Sequence, residues 1–220
     1  MSSQYTQTPA DVIEKFELQV SDITELSSAE ELDLLQNVFQ DVCVDRQWEF
    51  LKAPASGSLT LDATTGLYYL TVPDDFAYFS ANNQTTDNSD EIDNNSVPAV
   101  VFIGTNYDPY QVVNYSDRRQ YRNRTGFCWY DASTRKVWFT TTPPATTYEF
   151  DYIQAPPTLT LNGNFPFPDQ FTAILWYGMA RDNSIIQLSD RAKSYLAENN
   201  AKYEKTLLDM QFWNSQFQLN

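Results

Sequence analysis

Phe127-Cys128-Trp129-Tyr130 and Lys136-Val137-Trp138-Phe139-Thr140 flank the polar segment Asp131-Ala132-Ser133-Thr134-Arg135. Two aromatic-rich runs around a short turn read as a β-hairpin. The same pattern extends outward. Tyr148-Glu149-Phe150-Asp151-Tyr152 alternates aromatic and acidic residues, as a half-buried strand does. Leu67-Tyr68-Tyr69-Leu70-Thr71-Val72 is a β-rich run stopped by Pro73, and Val97 to Ile103 is a buried-looking strand. Trp48 and Phe50 alternate with polar neighbours. Residues 46–153 are therefore expected to form a β-rich, antiparallel domain.

On both sides the hydrophobic period changes to that of a helix. Thr8 precedes Pro9 and Asp11, a start signal, and Val12, Ile13, Phe16 and Val20 follow at helical spacing. Ser27 or Ser28 with Glu30 or Glu31 makes a capping box, and Leu32, Leu35, Val38, Phe39 and Val42 form one apolar stripe. Such a stripe is core packing. After Pro156-Pro157, Pro168 and Asp169 open a third helix through Phe171, Ile174, Leu175, Tyr177 and Gly178. Ser189-Asp190 caps a fourth, whose polar face carries Lys193, Glu198, Lys202 and Lys205. The expected fold is α+β. Helices from 8–45 and 168–213 form one layer, the C-terminal helices and tail together spanning 168–217, and the β-domain is inserted between them.

Composition excludes more than it suggests. The chain has 220 residues and no histidine, so Ser-His-Asp and Cys-His arrangements are impossible within it. Two cysteines, Cys43 and Cys128, with no histidine leave no tetrahedral zinc site, and both read as small buried hydrophobes. Six glycines include no phosphate-binding loop. Neither an enzyme nor a cofactor is expected. Asp74-Asp75 reads as a turn-former with solvated carboxylates. Asp87, Asp90, Glu91 and Asp93 lack calcium-loop spacing, so no metal is expected. Met1 to Ala10 is polar, which predicts no secretion signal, and no stretch has the roughly 20 apolar residues of a membrane span. The expectation is a soluble protein made in a reducing cytoplasm. The sequons at Asn83, Asn114 and Asn123 then read as chance matches.

Charge is distributed unevenly. Residues 1–100 hold eighteen of the 29 acids and three of the 14 bases, while residues 101–220 hold eleven of each. The whole net charge of −15 thus lies in the first half. Against this background Arg118, Arg119, Arg122 and Arg124 fall within one short segment, with Tyr115 and Tyr121 interleaved. Three readings are open: a docking patch for acidic partner surfaces, including a neighbouring copy; a single-strand nucleic-acid platform; and a solvated loop. The acidity of the chain favours the first. A second candidate surface is the C-terminal tail, where Phe212, Trp213, Phe217 and Leu219 follow the last charged residue, Asp209. A free apolar tail is an aggregation liability, so it is expected to lie against a partner. The polar loop 81–96 cannot offset its ordering entropy from its own contacts and is expected at the periphery.

The order of elements resembles the head-to-tail adaptor (connector, or tail tubular) proteins of tailed bacteriophages. The matching pieces are Arg46–Leu51, Tyr68–Phe76, Lys136–Pro143, Tyr148–Pro157 and Phe167–Ala180. The resemblance implies a structural virion protein, one subunit of a dodecameric ring bound beneath the portal. The ring would extend the DNA channel and dock the tail tube, nozzle or fibre proteins. DNA would pass without sequence-specific binding, and no membrane would be involved. The tail would then meet the portal or a neighbouring copy. The alternative is a carbohydrate-binding β-domain of tail-fibre or lectin type, which aromatic strands and acidic turns also allow.

Overall fold

A computed structural model describes residues 5–20, 26–80, 99–186 and 190–218, without the side chains of 184–194 and 217–218. Its contacts divide the chain into two units: Met1–Leu51 with Pro156–Asn220, and Lys52–Ala155. The fold is α+β, with helices towards both termini and a large sheet between them in sequence. The loop 81–96, Ser189 and Leu219 lie outside the described residues, as does the Phe217 side chain.

The helical unit contains α1 (Pro9–Val20), α2 (Ser28–Val44), α3 (Ala173–Ile186) and α4 (Asp190–Gln218). Both N-terminal caps are local sequence devices. The Asp11 carboxylate accepts from the Thr8 backbone and hydroxyl at 2.8 Å each, and the Ser27–Glu30 capping box starts α2. Val12, Ile13 and Phe16 of α1 and Leu35, Val38, Phe39 and Val42 of α2 are buried with Ile174, Leu175 and Met179 of α3. Pro168 precedes a 3-10 turn, Asp169–Phe171, and does not itself open the helix. Asp169 instead reaches back to bind the Thr6 and Gln7 backbone N–H groups at 2.8 and 3.0 Å.

Helix α3 approaches its neighbours at Gly178. A Cβ there would stand 2.4 Å from Val38 Cγ1 of α2 and 3.2 Å from the Tyr203 ring of α4. Only a residue without a side chain permits this approach. Gly178→Ala should cost about 1–3 kcal/mol of overpacking, offset by at most about 1 kcal/mol of helix propensity. Urea denaturation should show a lower midpoint, and an unchanged or higher one would contradict the packing.

The β unit begins later than the aromatic alternation implies. Residues 46–51 are not a strand: Glu49–Leu51 is a 3-10 turn grouped with the helices. Trp48 is fully buried there, stacks on Phe50 at 5.6 Å and donates from Nε1 to the Val42 carbonyl at 2.6 Å. Its apolar partners are helical, so its period-2 pattern does not make a ladder. Nine strands follow among the described residues: β1 (Lys52–Ser58), β2 (Thr60–Leu61), β3 (Tyr68–Thr71), β4 (Phe76–Phe79), β5 (Val100–Ile103), β6 (Asp108–Val113), β7 (Phe127–Asp131), β8 (Lys136–Phe139) and β9 (Thr147–Gln154). They form one sheet in the order β1-β9-β5-β6-β7-β8-β3-β2, with β4 also on β9. Pro54 is tolerated because β1 is an edge strand.

Pairing is antiparallel except between β6 and β7, which run parallel. The domain is otherwise antiparallel, as expected. A parallel pair requires a crossover of about a dozen residues, and residues 114–126 supply it. The sheet also curls. Strands β9 and β7 are three positions apart, roughly 14 Å in a flat sheet. Yet Tyr130 of β7 lies 5.9 Å from Phe79, which in turn lies 5.5 Å from Phe150 of β9. The concave face so formed holds Leu70, Val72, Val101, Ile103, Tyr110, Cys128, Val137, Phe139, Phe150 and Tyr152.

Asp75 is not a solvated turn carboxylate. It accepts from the Tyr152 hydroxyl at 2.9 Å and from Gln154 Nε2, tying the turn after β3 to the end of β9. Asp74 is the solvated member and pairs with Arg135 at 3.3 Å. Both cysteines are free and buried, one in each unit. Burial pushes the Cys43 thiol up to about 12 and raises that of Cys128 also. Native protein should therefore react with a thiol reagent only as fast as it unfolds, whereas denatured protein should react at once. Rapid native labelling would show a cysteine to be accessible.

Candidate docking surfaces

The four arginines occupy the crossover from β6 to β7. It begins with a 3-10 turn, Tyr115–Asp117, and ends at Gly126, whose φ of +84° admits glycine best. Thr140, buried beside it, donates its hydroxyl to the Arg124 carbonyl, and its N–H and hydroxyl also reach the Phe127 carbonyl. Tyr121 rests on Phe127 with ring centroids 4.5 Å apart. The segment is thus fixed at its downstream end by the sheet beneath it.

The guanidinium of Arg118 lies 3.7 Å over the Tyr115 ring and donates to the Tyr115 carbonyl; that of Arg124 stands 5.9 Å over Tyr121. Cation–π contacts of this kind orient the planar group and leave its edge for hydrogen bonds. Arg119, Arg122 and Arg124 are exposed and Arg118 is half-buried. Among the described residues none of the four forms an ion pair with a carboxylate.

Sequence reasoning missed the surface next to them. The register pairs Val113 with Trp129, Trp129 with Trp138, Trp138 with Tyr69 and Tyr69 with Thr60. Tyr69, Phe127, Trp129 and Trp138 alternate with the core residues Leu70, Cys128, Val137 and Phe139, so they lie on the opposite, outer face. Lys136 Nζ lies 3.8 Å from the Tyr69 ring centre and 5.4 Å from that of Trp138. One half-exposed aromatic strip therefore runs from Tyr69 through Trp138 and Trp129 to Phe127, under Tyr121 and Arg124. Alternation in the hairpin was the available signal. It was masked because both faces of these strands are aromatic.

The second candidate surface belongs to the helical unit. The tail is itself helix, because α4 continues through Gln218. Asn214 is buried and holds the segment before β1 from both sides. It donates to the Gln47 carbonyl at 3.0 Å and accepts from the Glu49 N–H at 2.8 Å. Trp213 packs on Phe171 at 5.4 Å. Phe212 is 70% exposed and Leu208 63%. Phe171, Phe212 and Trp213 border a shallow groove of about 550 Å³ with Thr206, Asp209 and Gln216. Of the four tail residues, Phe212 and Trp213 are thus placed at one groove.

Several carboxylates are structural. Hydrogen bonds from Thr8, Ser27, Thr65 and Ser133 hold Asp11, Glu30, Asp62 and Asp131 below their ordinary values. Burial pulls Asp75 and Asp169 up, but hydrogen bonds from Gln154 and Tyr152, and from Gln7 and Thr6, outweigh it and leave both lowered. Among the described residues Glu31 is the one carboxyl that is raised, by burial and by the nearby Glu17. A lowered group lends stability that is complete above its unfolded pKa and is lost as pH falls through the folded one. Six such groups oppose one, so the urea midpoint should fall on acidification below about pH 4. A midpoint that rises between pH 5 and pH 3 would contradict these contacts.

Among the described residues no cluster of three potential metal ligands occurs, and no helix is long and apolar enough to cross a membrane. The chain is a bacteriophage head-to-tail adaptor, a structural protein of the virion neck. It belongs to the family described as SU10 adaptor protein, whose model matches residues 7–218. No curated protein matches it.

Proposed function

We propose that twelve copies of this chain assemble in the host cytoplasm into a ring beneath the portal, where they extend the DNA channel and dock the tail components. The observation that carries this reading is the family match across nearly the whole chain. The physical chemistry agrees with it. A net charge of −15 repels phosphate and lets DNA pass without adhering. The groove end of α4, with Phe212 outermost, meets the portal; the arginine crossover meets protein carboxylates. Electron microscopy of the chain mixed with its portal tests the reading. Rings of twelve capping the portal are expected, and a monomer that never associates with portal would refute it.

A further inference from the structure

Resting on the ring reading, we propose that the outer face of the β sheet, from Tyr69 through Trp138 and Trp129 to the arginine crossover, docks on the exposed carboxylates of α2, Asp33 and Asp41, in a second copy of this chain.

The first support is the chemistry of the outer face. Tyrosine, tryptophan and arginine are the residues that dominate protein interfaces. Here they stand on paired strands and a tethered crossover, so little side-chain freedom remains to be lost on binding. The cations are placed on the rings: Lys136 over Tyr69 and Trp138, Arg124 over Tyr121, Arg118 over Tyr115. Such a face calls for an anionic occupant. A sugar is disfavoured because the Tyr69 and Trp138 planes are tilted 44° to one another and Lys136 already covers them. Nucleic-acid phosphate is disfavoured because the rest of the chain repels it.

The second support is charge complementarity. The helical unit carries seventeen acids and seven bases, a net −10, of which residues 1–51 supply eleven acids and two bases. Of the four carboxylates of α2, two are already engaged or buried. Glu30 closes the capping box, Glu31 is buried, and Asp45 beyond the helix holds Arg46 and Gln211. Asp33 and Asp41 are exposed and form no ion pair among the described residues. They lie about 12 Å apart along the helix, with the exposed Asn37 midway. The last turn of α2 holds no basic residue. Asp41 therefore sits unrelieved near the negative end of the helix dipole, where an outside cation is stabilising. The contact joins unlike surfaces, as an interface that repeats around a ring does.

The test uses whole chains mixed with portal, counted as portal-bound rings by electron microscopy and native mass spectrometry. Arg119 and Arg122 are exposed, so R119E/R122E should keep the wild-type circular dichroism and melting profile. It should form at least tenfold fewer rings, as should D33R/D41R. Combining all four substitutions should restore rings, because the charges are exchanged and not merely removed. Wild-type ring yield for R119E/R122E, with or without loss of tail, glycan or DNA binding, would overturn the proposal while leaving the ring reading intact. Failure of the four-fold variant to restore rings would overturn the assignment to α2. Absence of rings from the wild type would overturn the ring reading and this contact with it.

Discussion

Replacing Phe212 with aspartate is expected to leave a folded adaptor that no longer attaches to its portal. Phe212 is 70% exposed at the edge of the groove formed with Phe171 and Trp213, so the native core does not need it. Its substitution should change stability by no more than about 0.5 kcal/mol. An exposed aromatic beside a partly filled groove is, however, the kind of anchor whose loss costs about 2 kcal/mol or more of binding. That is roughly a thirtyfold loss of affinity, and a buried aspartate would add its own desolvation cost. Removing residues 211–220 altogether is a poorer experiment. It also deletes Trp213 and Asn214, which close the helical unit from inside. Portal pull-down and thermal melting of Phe212→Asp separate the two roles. Unchanged attachment would mean that this end of α4 does not meet the portal.

The largest loss of stability is expected from Trp48→Ala. Trp48 has no solvent exposure, stacks on Phe50 and donates to Val42. Phe50 lies 5.4 Å from Phe167, and Phe167 lies 5.5 Å from Phe165 and 6.3 Å from Phe39. The indole is thus one end of a chain of rings linking α2 to the segment before α3. Truncating it leaves a cavity costing about 3–5 kcal/mol, which lowers the melting temperature by roughly 10 °C in a chain of this length. Trp48→Phe refills most of that space and removes one hydrogen bond, for about 1 kcal/mol. Val42 keeps the Asp45 N–H at 3.4 Å, which limits the loss. Equal effects of the two substitutions would show that the hydrogen bond, and not the packing, matters.

Sequence by itself determined what is local. The capping boxes at Thr8 and Ser27 start their helices because each side chain satisfies backbone N–H groups a few residues away. The hairpin around residues 131–135 forms because its turn and both runs are contiguous. The α+β class followed from the change of hydrophobic period, and the absence of histidine removed whole classes of chemistry before any fold was known. Only the tertiary structure decided the rest, since it depends on groups far apart in the chain. Trp48 and Phe50 carry a strand pattern, yet their partners Val42 and Phe167 place them in the helical unit. Lys52–Ser58 carries almost no strand signal, yet seven register pairs with β9 make it one. In the sequence the arginines read as a charged patch with no visible neighbours beyond Tyr115 and Tyr121. The parallel pairing of β6 and β7 makes their segment a crossover, and the sheet beneath it sets Phe127, Trp129, Trp138 and Tyr69 beside them. Aromatic residues on both faces of a strand leave no period to read, and only the curl of the sheet determines which face is core and which is left to meet a partner.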